Sequence, residues 1–416
     1  MPYMRWFVAL ALASFYLFAL ILDRAAGVLF FLLVLSGLIV IASRAAVPGQ
    51  SFWQLSKAYW PINLAMAAPF IAVFANQVSM GRFSGRNIDS PLRLALFALV
   101  FWAVMLVPYR RLKLLQWAFV VGAFFSTIKM YVLTAGGSAR YSTDFIPLIV
   151  FAELAILLGL FSVFSIRWHS RGGYAAIVFK LLAACAAVYG AYMSQSRGAW
   201  MTIPIFGVIA YISAKDLRRK HKMAVAAICI VVLGALLHFG NIVNQRIAAA
   251  ETDIQEYAQG TNLDTSIGTR LQLWKGSWTL FKEHPLFGVG VEGYPVALHD
   301  LAARKIISPG AATFAHSHNE VLFMMARFGL FGLLAILAVY FVPAYYFGRD
   351  LRHNDKEIRG AAGMGLALCL GIAGLGLTDV VFLWWEIFPF YAVSTALFLA
   401  CIIKRRQYLA ESVSAQ

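Results

Sequence analysis

Two histidines, a scatter of arginines and one short serine-rich turn have types and spacing suited to chemistry. His316 and His318 stand in Ala315-His316-Ser317-His318-Asn319-Glu320, immediately before a long apolar run. That placement puts His318 at the start of a helix. The positive end of a helix disfavours imidazolium and leaves a neutral ring able to accept a proton near neutral pH. At 100° per residue, His318 shares a face with Leu322, Met325 and Gly329. Arg327 falls opposite, with Glu320 seven residues away as its expected partner, and stays outside the candidate site. Three readings of the histidine pair are open: a general base, ligands for a metal, or polar residues at a helix entrance. No Asp-x-Asp and no further histidine cluster accompanies them, which weakens the metal reading. His318 is the expected base, with His316 and Asn319 in support, and no metal is expected.

The arginines divide by position. Arg197 lies in Ser194-Gln195-Ser196-Arg197-Gly198, a tight turn at which a new helix starts. Helix N-termini favour anions, and Gln195 adds a side-chain donor. Arg270 follows Gly268-Thr269, which reads as a helix start with Thr269 as N-cap. From Arg270 onward, Leu271, Leu273, Trp274, Trp278, Leu280 and Phe281 cover one face. Gln272, Lys275, Gly276, Thr279, Lys282 and Glu283 cover the other. The pattern is that of an amphipathic helix lying on a membrane surface, with Arg270 at the middle of its apolar face. A charge there is expensive unless an anion or an aromatic ring meets it. Arg197 and Arg270 are therefore expected to bind an anion at the membrane surface. Arg82, Arg86 and Arg140 are candidate supporting ligands, against the plainer reading that they snorkel to headgroups.

The elements that position these residues are membrane helices. Hydrophobic residues make up 61% of the 416 and charged residues 13%, far from the roughly even apolar share and about one-quarter charge of soluble domains. The excess comes in repeated runs near the ~20 residues a span requires, and in lipid such runs must be helical. Spans are expected near 6–22, 25–42, 58–78, 92–107, 114–135, 145–166, 174–194, 199–214, 223–243, 320–346, 361–378 and 384–403. The first reads as a retained span and not a cleaved leader. Three segments follow: residues 1–243 with nine spans, residues 244–319 as one large helical non-membrane segment, and residues 320–416 with three spans and a tail.

Lys and Arg concentrate in the short loops on one side, including Lys215 to Lys222 and Lys404-Arg405-Arg406. The charge rule puts that side and both termini in the cytoplasm, and 244–319 outside. The net charge of +16 is then a topology signal, and nucleic-acid binding is a poor reading. Lys129 and Lys180 lie near span ends, where they can snorkel. The cysteines, all in apolar runs, read as small buried hydrophobes.

Together these segments resemble the bacterial O-antigen ligase family, within a wider group that includes O-antigen polymerases and O-oligosaccharyltransferases. The most specific likeness is His318-Asn319, nine residues, then Gly329-Leu330-Phe331-Gly332. The Ser-x-Ser-Arg-Gly turn at Arg197 and the stretch from Arg270 to His284-Pro285-Leu286-Phe287-Gly288-Val289-Gly290 resemble the wider group. The resemblance implies a GT-C-like, metal-independent glycosyltransferase of the bacterial inner membrane, without cofactor. The donor would be undecaprenyl-diphosphate-linked O-antigen and the acceptor lipid A–core oligosaccharide, among membrane lipids. Arg197 and Arg270 would hold the donor diphosphate, and His318 would deprotonate the acceptor hydroxyl in an inverting displacement. The alternatives are an O-antigen polymerase using the same donor and a transporter of lipid-linked sugars.

Overall fold

The computed structural model describes residues 2–43, 51–139, 141, 143, 145–168, 173–215 and 242–414, and these contain helices and no strand. In chain order the helices are α1 (Pro2–Phe18), α2 (Ala25–Ala42), α3 (Phe52–Ala58), α4 (Trp60–Met80), α5 (Gly85–Ala95), α6 (Phe97–Leu106), α7 (Tyr109–Leu112), α8 (Gln116–Leu133), α9 (Leu148–Phe164), α10 (Tyr174–Met193), α11 (Arg197–Trp200), α12 (Ile203–Ser213), α13 (Ile242–Gln259), α14 (Ser266–Glu283), α15 (Gly293–Ala303), α16 (Pro309–Ala312), α17 (Glu320–Asp350), α18 (Lys356–Gly376) and α19 (Ile387–Ser414). Among the described residues, nine stretches are long and apolar enough to cross a membrane, and two shorter apolar helices coincide with the first and eighth expected spans. The chain is an all-α polytopic membrane protein. Residues 223–241 of the ninth expected span, with Cys229, lie outside the described residues, and Ile242 and Val243 begin α13.

Small residues let the helices close up, as they must where lipid offers no hydrophobic drive between spans. Gly363, Gly365 and Gly371 on α18 sit against the rings of Phe164, Phe347 and Phe206. Together α18 and α19 form the enclosed centre, with α17 against α4 and α18. At one end of the bundle, Lys113 pairs with Glu357 at 2.5 Å and Arg405 with Asp355 at 2.8 Å, so basic loop residues also fasten helix ends. Lys129 and Lys180, expected near span ends, each find a polar partner within the protein. Lys180 donates to Gln116 Oε1 and to the Ser165 carbonyl, and Lys129 donates to the Ile21 carbonyl. A buried carboxylate escaped the sequence reading: Glu153 on α9 accepts from the Thr202 hydroxyl at 2.9 Å.

The 31 residues of α17 span about 46 Å at ~1.5 Å each, well beyond a ~30 Å hydrocarbon core. Its first turns pack against α14, and the helix breaks at Gly329, where φ is 60° and ψ −142°. Residues 285–290 fill the break backbone to backbone. Leu330 N–H donates to the Pro285 carbonyl at 2.7 Å, Val289 N–H to Ala326 at 3.0 Å and Gly290 N–H to Arg327 at 2.8 Å. A Cβ on Gly329 would lie 2.4 Å from Leu286 main-chain atoms, and one on Gly288 2.4 Å from those of Arg327. Asn76 on α4 seals the joint by donating to the Phe287 carbonyl at 2.7 Å. The two glycine-rich motifs are therefore the halves of one joint.

Helix α14 starts earlier than expected and turns a different face inward. Its N-cap is Thr265, which accepts from Gly268 N–H, and not Thr269. The buried face is Thr269, Gln272, Leu273, Gly276, Ser277 and Leu280, while Arg270 and Trp278 are exposed. Polar residues go inside because their bonds are satisfied there. Gln272 donates to the Leu263 carbonyl and accepts from Ser308 N–H, and Ser277 bonds the Tyr294 hydroxyl.

Candidate functional site

The loop from α16 to α17 is set by three local bonds. Asn319 caps α17, its side-chain oxygen accepting from Leu322 N–H at 3.0 Å. Ser317, fully buried, donates its hydroxyl to the Asn319 carbonyl at 2.8 Å. His318 adopts φ 51°, a left-handed conformation unusual for a residue with a Cβ, and its N–H donates to Nδ1 of His316 at 3.3 Å. His318 is thus the residue before the cap, not a residue of the helix. The imidazoles meet edge to face, 4.3 Å between centroids.

Opposite them stands Asp379, which sequence reasoning missed. Its Oδ1 lies 3.7 Å from His318 Nδ1 and 3.9 Å from His316 Nδ1, within ion-pair range and longer than an ordinary hydrogen bond. Burial by itself would raise the Asp379 carboxyl. The imidazole of His318, the Val380 N–H and the imidazole of His316 more than offset that and hold it below the usual carboxylate range. Burial and the neighbouring His318 push His316 below the ordinary imidazole value, with Asp379 opposing them. The only hint in sequence was an acid just past a span end, in an otherwise uncharged stretch.

Glu320 fixes Asp379. Fully buried, it accepts from the N–H groups of Val381 and Phe382, the latter at 2.9 Å. Among the described residues it makes no close ion pair with Arg327, the partner expected for it, although the two opposite charges still attract. Instead Arg327 lies over the rings of Phe323 and Phe328.

The turn before α11 packs beside this group. A Cβ on Gly198 would fall 2.9 Å from the Thr378 hydroxyl and 2.7 Å from Ile149, so a larger residue there would have to displace both side chains. Gln195, at φ 53°, donates to the Gly137 carbonyl at 3.1 Å, so its amide braces the turn. Trp200 closes the turn onto the Ala191 carbonyl at 3.2 Å. The backbone of Arg197 opens α11; its side chain, like Arg140, lies outside the described residues. Arg270 points away from the buried face of α14, without a hydrogen bond or ion pair among the described residues. Arg82 and Arg86 line two adjoining cavities beside the 289–293 turn, and neither cavity is lined by His316, His318 or Asp379.

One donor atom each from His316, His318 and Asp379 lies within 4.8 Å of the others, so the three also form a candidate cation set. One of them is already engaged, since His316 Nδ1 accepts from the His318 amide. With Nδ1 of His318 turned to Asp379, Nε2 remains as the atom that can take a proton. An imidazole oriented by a carboxylate is the arrangement of a general base.

A family model described as O-antigen ligase matches residues 181–337. That stretch runs from α10 through the Arg197 turn and residues 244–319 to the break in α17, and Asp379 lies beyond it. An uncharacterized protein of Haemophilus influenzae is 27% identical over 287 residues, covering 68% of this chain and 71% of that protein. An O-antigen ligase of Escherichia coli K12 is 28% identical over 228 residues, covering 54% of this chain and 52% of that protein, about half its length.

Proposed function

We propose that the chain acts as a member of the O-antigen ligase family and transfers polysaccharide from undecaprenyl diphosphate to a sugar hydroxyl of lipid A–core, a reading supported by the family model and the Escherichia coli relative. The reaction takes place on the periplasmic face of the inner membrane, with both termini cytoplasmic, as the Lys and Arg of the short loops favour. The observation that carries the catalytic part is His318, its Nδ1 facing Asp379 and its Nε2 free.

The acceptor hydroxyl gives its proton to His318 Nε2 as its oxygen bonds to the anomeric carbon. The bond from that carbon to the diphosphate breaks, and undecaprenyl diphosphate leaves with the electron pair. Asp379 steadies the imidazolium that forms. Arg197 and Arg270 neutralise charge growing on the departing phosphate, which an arginine fork can hold through two oxygens. One base, with no second carboxylate placed as nucleophile among the described residues, favours direct displacement with inversion. Arg270 reaches the donor from the exposed side of α14.

The test is transfer by the purified full chain in EDTA, with undecaprenyl-diphosphate-linked O-antigen, lipid A–core and no nucleotide. The wild type shifts the core to slower gel mobility and His318→Ala does not. Lengthening of donor glycans on their own lipid makes the chain a polymerase instead. Activity lost in EDTA and restored by a divalent cation assigns His316, His318 and Asp379 to a metal.

A further inference from the structure

Arg327 has no role in the transfer just described, yet it is a costly residue where it sits. Its Nε is buried without a hydrogen-bond partner. The faces of Phe323 and Phe328 meet its guanidinium, 4.6 and 5.0 Å from the ring centroids, and Glu320 and Tyr294 act on its charge without a hydrogen bond to it among the described residues. It lines a groove of about 490 Å³ between α4, α5, the 289–293 turn and α17. Arg86, exposed, stands at the mouth with Asn87 and Ser90 beside it. Glu292 is also at the mouth, exposed, and accepts from Asn87 at 3.5 Å. Apart from Ser84, the rest of the lining is apolar, including Pro69, Val73, Ile336 and Phe388.

A cationic pair above an apolar wall fits an anionic lipid: phosphate at the arginines, acyl chain along α4 and α17. Which lipid follows from distance. The phosphate that leaves in the reaction is bonded to the carbon under attack, so it must sit within reach of the base. Helix α17 is unbroken from Glu320 to Phe328, which puts the Arg327 backbone about 10 Å along the axis from the helix start, and the groove its side chain lines has none of His316, His318 and Asp379 in its wall. A phosphate held there is not the leaving group. It fits a lipid whose reacting sugar stands well above its phosphates.

We propose that this groove holds a phosphate of the acceptor glycolipid's membrane anchor, with Arg327 and Arg86 as its ligands. The assignment to an acceptor rests on the transfer reaction proposed above; lipid binding itself can be read without any transfer. The experiment measures binding of bisphosphorylated lipid A, and of the same lipid with its phosphates removed, to the purified full chain in detergent micelles. The wild type prefers the phosphorylated form by about tenfold or more, the worth of one charge-assisted contact. Arg327→Gln removes the preference, Arg327→Lys keeps part of it, and Val73→Trp, which fills the groove from α4, weakens both lipids. His318→Ala binds as the wild type does. All variants must elute and melt like folded protein, and Arg327→Lys with Val73→Trp carry the test if Arg327→Gln does not.

Folded variants that keep the wild-type preference overturn the proposal. So does loss of undecaprenyl diphosphate binding with lipid A binding intact, which makes the groove a donor site. Equal competition by phosphatidylglycerol makes it a site for bulk lipid. A chain that binds lipid A through Arg327 but transfers nothing upholds the groove and sinks the ligase.

Discussion

At the scale of single residues, the catalytic proposal depends on how His318 is held. Its backbone φ of 51° and the pinning of Asp379 through Glu320 aim Nδ1 at a carboxylate. Asp379→Asn keeps the shape and removes the charge that steadies imidazolium. It is expected to lower kcat by about a hundredfold with KM little changed, within the range a general base contributes. Equal kcat in mutant and wild type removes Asp379 from the mechanism. His316 makes a different prediction. Its folded-state value is depressed, so the unfolded chain takes up the proton first as pH falls below about 6.5, and stability drops with it. Melting of the wild type between about pH 7 and about pH 5.5 should show a loss that His316→Gln lacks. Parallel melting curves contradict it. Residue types marked His318 and the Arg197 turn in sequence, because both lie in short local patterns. Asp379 was not legible, since 61 residues separate it from His318 and only the packing of α17 against α18 brings them together.

At the scale of elements, the break in α17 decides the architecture around the site. The periodicity of the apolar runs gave most spans to within a few residues. It could not reveal that Gly329 leaves the helical region, because the run stays apolar through the break. Nor could it orient α14, whose inward face is built on satisfied polar groups such as Gln272 and Ser277. Gly329→Ala places a methyl against the Leu286 main chain in a backbone region that L-residues avoid. It should cost at least about 2 kcal/mol, read as a lower melting temperature in detergent. Gly348→Ala, with open space around its Cβ position, should melt near the wild type. Equal melting of the two variants refutes the joint between residues 285–290 and α17.

At the scale of the whole molecule, the layout was the most legible part, since a bilayer allows few answers to a chain this apolar. The orientation rests on loop charges. It can be checked in a chain whose four cysteines are replaced by serine. Glu256→Cys should react with a membrane-impermeant maleimide in spheroplasts, and His353→Cys only after lysis. The reverse pattern inverts the protein. The site itself is split along the chain: His318 precedes α17, and Asp379 follows α18. A ribosome therefore delivers His318 two long apolar helices before Asp379, and Glu320 has no Val381 or Phe382 amide to receive until then. During synthesis the nascent protein passes through a stage in which the Arg197 turn and His318 are present and the carboxylate facing His318 is not. On the proposed mechanism, competence arrives late, as α18 closes against α17.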